Sequence, residues 1–104
     1  MKKNLKLIQH PVIQHKLSVL RDKNTSPMAF RQIIEEVSQL LAYEATRDLK
    51  TKTVRVETPL EATDAQVIGD QIVLVAVMRA GNGMLSGMLK ILPFATAGHI
   101  GIYR

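Results

Sequence analysis

The chain has 104 residues, of which 46% are hydrophobic, and a net charge of +5 at pH 7; this suits one globular domain or part of one and excludes a disordered chain. It contains no cysteine, which excludes disulfides, zinc–thiolate sites and cysteine nucleophiles. The basic N-terminus lacks the apolar stretch of a signal peptide, and no apolar run is long enough to span a membrane, so we expect a cytoplasmic protein.

A short helix is predicted over residues 10–22. Pro11 suits its first turn, because the missing N–H costs nothing there. One face of this helix carries apolar residues at helical spacing: Ile13, Leu17 and Leu20.

A longer helix is predicted over residues 27–49, with Thr25 or Ser26 as its N-cap. Its apolar stripe recurs at helical spacing and comprises Phe30, Ile33, Ile34, Val37, Leu40 and Leu41. The adjacent carboxylates Glu35 and Glu36 are interpreted as part of a solvated face rather than as a catalytic acid pair.

The middle of the chain predicts an exposed strand and turn. Val54 and Val56 alternate with polar residues, and Pro59 then interrupts the pattern. We interpret residues 51–68 as a hairpin or β-flap.

The last third predicts a parallel βαβ unit. The β-branched run Ile72–Val77 favours a strand buried on both faces, and residues 81–92 favour a helix that is apolar almost all round. Residues 95–104 predict a second strand, parallel to the first by a right-handed crossover, with His99 half-buried inside it.

The predicted fold class is therefore α/β, with N-terminal helices, a β-flap and one parallel βαβ unit. Residues 1–50 form the helical region, 51–68 the flap and 69–104 the start of the parallel-sheet core. A doubly wound sheet rarely has only two parallel strands, so we expect the front part of a larger domain.

The charges are segregated along the sequence. All nine acidic residues lie at or before Asp70, whereas residues 71–104 carry only the cations Arg79, Lys90 and Arg104. This segment suits a phosphorylated ligand. Nucleic acid is a weaker alternative, because two Tyr, two Phe and no Trp offer little for base stacking.

The stretch RAGNGMLSG, residues 79–87, joins the predicted strand to the predicted helix. It nearly fits the dinucleotide pattern G-x-G-x-x-G, but Ser86 stands at the third glycine and no acid follows to hold a ribose. A purely structural glycine turn is a second alternative. We favour a phosphate or pyrophosphate loop, in which backbone N–H groups, the helix N-terminus and Arg79 bind the anion.

The histidines do not indicate a metal site. His10 and His15 are five residues apart, so they do not share a helical face, and no carboxylate completes a ligand set. We interpret them as surface or capping residues.

The sequence resembles the N-terminal half of the uracil phosphoribosyltransferase family. Four blocks carry this resemblance in order: QHPVIQHKLSVLRDKNTS, LAYEATRDL, VAVMRAGNGM and GIYR. The resemblance implies a partial type I phosphoribosyltransferase-like fold. It also implies transfer of phosphoribosyl from phosphoribosyl pyrophosphate (PRPP) to N1 of uracil, giving UMP and pyrophosphate in pyrimidine salvage, with Mg²⁺.

The resemblance further implies a set of residues that bind PRPP on its pyrophosphate side: Arg79, Ala80, Gly81, Asn82, Gly83 and Arg104. Two positions depart from the family pattern, since Ala76 replaces a proline and Asn82 an apolar residue. The family's acidic PRPP motif ending in A-T-G-G and its uracil-binding loop do not occur in these residues. We therefore expect this chain to be inactive by itself.

A two-stranded unit with a largely apolar helix should also associate, either with a missing C-terminal half or with another copy. The family is commonly dimeric, which agrees with this expectation. Two alternatives stay open. One is a non-catalytic, truncated relative that acts as an interaction subunit. The other is a pyrimidine-responsive RNA-binding regulator of the same fold.

Overall fold

The order of helices and strands follows the sequence pattern. The computed structural model describes residues 5–78 and 81–101. In chain order its elements are α1 (Pro11–Arg21), α2 (Pro27–Ala45), β1 (Thr51–Glu57), β2 (Ala62–Ile68), β3 (Val73–Met78), α3 (Asn82–Ile91) and β4 (Thr96–Gly101). Strands β1 and β2 form an antiparallel hairpin, and β3 and β4 form a parallel pair joined through α3. The predicted α/β class, with N-terminal helices, a hairpin and one βαβ unit, is confirmed.

Side chains cap the first two helices at their N-termini. At α1, His10 Nδ1 accepts a hydrogen bond from the N–H of Val12 at 3.1 Å. At α2, Ser26 Oγ accepts one from the N–H of Ala29 at 3.2 Å. Thr25 instead donates its hydroxyl to the carbonyl of Val19, so Ser26 is the N-cap of the two candidates.

Helix α2 ends at Ala45 rather than continuing to residue 49, so that part of the prediction is wrong. The Thr46 hydroxyl donates to the carbonyl of Ala42 at 2.8 Å, and the Thr46 N–H donates to the same carbonyl at 3.1 Å. The N–H of Leu49 then donates to the carbonyl of Thr46 at 3.1 Å, which turns the chain towards β1.

Helix α2 is the centre of the packing, because it contacts both α1 and α3. Within the described residues the buried positions are few and comprise Ile13, Val37, Ser38, Ala42, Ala76, Gly87 and Leu92. They come from all three helices, strand β3 and the residue that follows α3. None of the helices in the described part of the chain is both long and apolar enough to cross a membrane.

The parallel pair is in simple register, from Val73 opposite Thr96 to Met78 opposite Gly101. The two strands therefore end together at one edge of the sheet. Helix α3 packs on the face of β3 that buries Ala76. In parallel α/β sheets, ligand sites form beyond the carboxyl ends of the strands, so this edge is where a site is expected.

The opposite face of β3 corrects the prediction of a strand buried on both sides. Val73, Val75 and Val77 are between 47% and 57% exposed, because α3 covers only the other face. His99 in β4 is also exposed, not half-buried as expected. A continuous apolar run indicates a strand that suits burial on both faces. Whether both faces are buried depends on which other elements pack on them.

The β1–β2 hairpin covers the residues that the sequence indicates as a flap, and one of its faces is polar. Arg55 pairs with Asp64 across the strands at 2.9 Å. Gln66 bridges two threonines of β1, accepting from Thr51 at 3.0 Å and donating to Thr53 at 2.8 Å. These cross-strand pairs stabilise the register of a hairpin that has two strands only.

Truncation of Ile13 tests the contact between α1 and α2. Ile13 is 3% exposed, so Ile13→Ala should lower the free energy of unfolding by about 2–4 kcal/mol through lost burial and the cavity left behind. Val12 on the same helix is 46% exposed, and Val12→Ala should cost less than about 0.5 kcal/mol. Urea unfolding of both variants checks this, and equal losses would contradict the described packing of α1.

Candidate functional site

The candidate site lies at the turn between β3 and α3. Of the residues that the sequence assigns to it, Gly81, Asn82 and Gly83 are described by the structure. The other three, Arg79, Ala80 and Arg104, lie outside the described residues. The three described residues form the N-terminal turn of α3, next to the carboxyl end of β3.

Gly81 is the N-cap of α3 and packs closely on β3. Its N–H donates to the carbonyl of Val77 at 2.8 Å, and its carbonyl accepts from the N–H of Leu85 at 2.9 Å. A Cβ at this position would lie 2.9 Å from the carbonyl oxygen of Val77 and 3.0 Å from its nitrogen. Glycine is therefore required by the close approach of the turn to the strand and not by an unusual φ, which is −75°.

The first turn of α3 has no side-chain cap in the described part of the chain. A glycine N-cap has no side-chain oxygen, and no side chain among the described residues caps this helix. Asn82 and Gly83 are exposed. Free N–H groups and the positive end of the helix dipole favour an anion at such a position.

The charge around the turn agrees with this chemistry. No carboxylate occurs in the sequence after Asp70, so β3, α3 and β4 bring no negative side chain to the turn. Glu35 of α2 accepts a hydrogen bond from Lys90 of α3, which offsets its charge. Within residues 5–78 and 81–101, no group of three His, Asp or Glu side chains could hold a metal ion.

A groove of about 480 Å³ lies between α2 and α3 beside the turn. Its lining comprises Phe30, Arg31, Ile34, Glu35, Gly83 and Ser86. Sequence reasoning missed this groove, because it assigned Phe30 to the core stripe of α2. Phe30 is 44% exposed and lines the groove instead.

Glu35 and Glu36 lie at the partly exposed surface of α2, and the sequence did not predict their ion pairs. Both are half-buried, and each pairs with a lysine of a different helix. Glu36 lies 2.7 Å from Lys16 of α1, whose hydrogen bond holds the pKa of Glu36 below its usual value. Glu35 pairs with Lys90 of α3.

The YEATRD segment, residues 43–48, comprises the last three residues of α2 and the turn that follows it. Arg47 lies 2.8 Å from Glu44. Its hydrogen bond lowers the pKa of Glu44, and the same contact raises the pKa of Arg47. The Arg47 guanidinium also lies 5.9 Å from the centre of the Tyr43 ring. Lys6 donates to the carbonyl of Glu44 at 2.9 Å, a favourable contact for a cation at a helix C-terminus. These contacts give the segment a structural role.

Comparison with known proteins identifies relatives over almost the whole chain. The family profile described as uracil phosphoribosyltransferase matches residues 7–104. A uracil phosphoribosyltransferase from Sinorhizobium medicae is 52% identical over 99 residues, which is 94% of this chain and 47% of that protein. One from Listeria welshimeri is 48% identical over 102 residues, which is 97% of this chain and 49% of that protein.

A solved structure agrees with the sequence relatives. A protein from Aquifex aeolicus superposes with a TM-score of 0.88 at 32% sequence identity, covering 95% of this chain and 48% of that one. The chain thus spans about half the length of the relatives it matches.

Substitution of Gly81 tests the close approach of the turn to β3. Gly81→Ala should lower the free energy of unfolding by about 1–3 kcal/mol, because its Cβ meets backbone atoms of Val77 that cannot rotate away. At Gly98 a Cβ would meet only ordinary contacts, the nearest at 3.7 Å, so Gly98→Ala should be close to neutral. Thermal unfolding of the two variants separates these expectations; a neutral Gly81→Ala would show that the turn does not pack as described.

The Lys16–Glu36 pair predicts a pH dependence of stability. Because the folded-state pKa of Glu36 is depressed, the pair stabilises the fold above the unfolded-state pKa, and this stabilisation is lost as the pH falls through the folded-state pKa. The Tm difference between the wild type and Lys16→Met should therefore be largest at neutral pH and shrink by about pH 3. Lys23→Met is the control, since Lys23 is exposed and makes no ion pair in the described part of the chain. A Lys16→Met difference that does not change with pH would contradict the pairing.

Proposed function

The chain belongs to the uracil phosphoribosyltransferase family, and we propose that it supplies the pyrophosphate-binding wall of an active site. That site would transfer phosphoribosyl from PRPP to N1 of uracil and release UMP and pyrophosphate. The family membership supports the reaction class, and the relatives' names support uracil as the acceptor. The chain spans about half of the relatives' length, so the proposal includes further polypeptide for the complete activity.

The observation that carries the proposal is the position of the glycine turn. The turn follows the carboxyl end of β3 and forms the N-terminus of α3, so its N–H groups and the helix dipole can bind the same anion. The register pairs Met78 with Gly101, which brings the ends of β3 and β4 to the same sheet edge. Arg79 is the next residue after β3, and Arg104 follows β4 by three residues.

The proposed chemistry is stabilisation of the leaving group. As the bond between the ribose and pyrophosphate breaks, negative charge builds on the departing pyrophosphate. Backbone N–H groups of Asn82 and Gly83 would donate to it, and Arg79 and Arg104 would pair with its oxygens. Holding PRPP in this way would also orient the ribose towards uracil, which lowers the entropic part of the barrier.

The described residues contain no preformed metal cluster. The turn has no carboxylate in β3, α3 or β4, and no group of three potential ligands exists within the described residues. Proteins usually hold Mg²⁺ through one or two carboxylates together with substrate phosphates, so in this proposal Mg²⁺ would enter with PRPP, and no step of the reaction is assigned to it.

The proposal includes completion by further polypeptide. The acidic PRPP motif and the uracil loop expected for the family are not among these 104 residues, so they would come from a C-terminal half. Self-association and a cytoplasmic location belong to the same proposal. Self-association rests on the exposed apolar face of β3, and the cytoplasmic location rests on the family resemblance.

The direct experiment is a UMP assay with the purified chain, PRPP, uracil and Mg²⁺. The chain alone should form no UMP above background. It should form UMP when the C-terminal half of a full-length relative is added or fused to it. Activity of the chain alone would contradict the need for a second half. Continued inactivity after completion would favour a non-catalytic interaction subunit.

In the completed enzyme, Arg79→Ala should lower kcat/KM for PRPP by roughly 10²–10³-fold, because it removes a donor to the developing charge on pyrophosphate. Uracil binding should change little. Lys23→Ala, at an exposed lysine of the α1–α2 loop, is the control and should leave both parameters unchanged. An unchanged kcat/KM for PRPP in Arg79→Ala would refute the role given to Arg79.

A further inference from the structure

Helices α2 and α3 are in close contact at Gly87. A Cβ on Gly87 would lie 2.6 Å from the carbonyl oxygen of Glu35, 2.9 Å from Ser38 Cβ and 3.0 Å from Glu35 Cα. Two of these three atoms belong to the backbone of α2, so no rotamer change relieves the contact. Gly87 is buried and Ser38 is fully buried, as a backbone-to-backbone approach requires. The absence of a side chain at Gly87 therefore sets the distance between the two helices.

The same face of α3 continues to the glycine turn. Gly83 lies one helical turn before Gly87, and a Cβ on Gly83 would lie 3.3 Å from Ile34 Cγ2 of α2. At 1.5 Å per residue, Gly81 is only about 9 Å along the axis from Gly87. A shift of α3 at Gly87 is thus transmitted through a single rigid helix to its N-terminal turn.

The other side of the turn leaves little space to absorb such a shift. Gly81 packs on β3 so tightly that a Cβ there would lie 2.9 Å from the Val77 carbonyl oxygen. Helix α3 is held between α2 and β3, and neither contact can close further. Separation of α3 from α2 must tilt the helix or move the turn relative to the carboxyl edge of the sheet.

An ion pair also holds the C-terminal end of α3 against α2. Lys90, three residues after Gly87, donates to Glu35 Oε1. The carbonyl of the same Glu35 is the atom nearest to the missing Cβ of Gly87. One residue of α2 thus limits how closely α3 approaches and anchors the last turn of α3 through an ion pair.

We propose that Gly87, with the Glu35–Lys90 pair, is a positioning residue for the phosphate-binding turn at Gly81–Gly83. Gly87 sets how closely α3 approaches α2 and how α3 is tilted, and it does not contact the ligand. The inference rests on the proposed function for its ligand, pyrophosphate, but the geometry that it invokes can be measured without any ligand.

The test uses amide NMR spectra of the 104-residue chain, alone and titrated with magnesium pyrophosphate. In Gly87→Ala, the amide signals of the turn should move before any ligand is added, while signals of the β1–β2 hairpin stay in place. The dissociation constant for pyrophosphate should rise about tenfold or more, because small displacements of binding groups weaken binding strongly. The control Gly98→Ala should match the wild type, since a Cβ there meets ordinary contacts.

If Gly87→Ala folds, its turn signals stay in place and it binds pyrophosphate as tightly as the wild type, the inference is overturned. If Gly87→Ala does not fold, Lys90→Met decides. It should weaken pyrophosphate binding and move the turn signals, and Lys90→Arg should restore both; a Lys90→Met variant identical to the wild type would overturn the inference. If the wild type binds no pyrophosphate, the proposed function fails for this chain, and the ligand-free shifts of the turn still decide the positioning role.

Discussion

Helix α3 meets helix α2 at Gly87, which packs against backbone atoms of Glu35 and the Cβ of Ser38. A contact of this kind has no soft side chains in it, so its geometry is set more sharply than that of an ordinary apolar interface. Ser38 suits it because its hydroxyl donates to the carbonyl of Ile34 at 2.7 Å and is satisfied within its own helix. The side chain that α2 places against α3 at this point is therefore small and needs no polar partner from α3.

The remaining elements are arranged around this contact. Helix α3 is also the crossover between β3 and β4, so the face that it covers decides which side of the parallel pair is buried. On its other side, α2 holds α1 through the buried Ile13 and the pair Lys16–Glu36. Adjacent glutamates on one helix thus hold two different neighbours, and neither is free to act as a catalytic acid. The glycine turn is the point where this packing reaches the carboxyl edge of the sheet.

Local patterns in the sequence predict much of this fold because they act over few residues. The cap at Ser26, the flap over residues 51–68 and the parallel strands around α3 follow from capping chemistry, alternation and crossover handedness. The features that the sequence did not predict depend on residues that are distant in the chain. The exposed valines of β3 and the exposed His99 reflect which layers cover the sheet. The pairing of Glu35 and Glu36 reflects where α1 and α3 lie, and a glycine that is required for helix spacing has no signal in a single sequence. Of the candidate site, the turn lies where the motif predicts it, while the roles of Arg79 and Arg104 stay predictions.

The central claim is that the N-terminal turn of α3 binds pyrophosphate, and a crystal structure of this chain grown with magnesium pyrophosphate tests it most directly. We predict phosphate oxygens within about 3 Å of the amide nitrogens of Asn82 and Gly83, with α3 at its present distance from α2. Pyrophosphate bound elsewhere with the turn vacant, or a turn whose amides point away from the anion, would contradict the account.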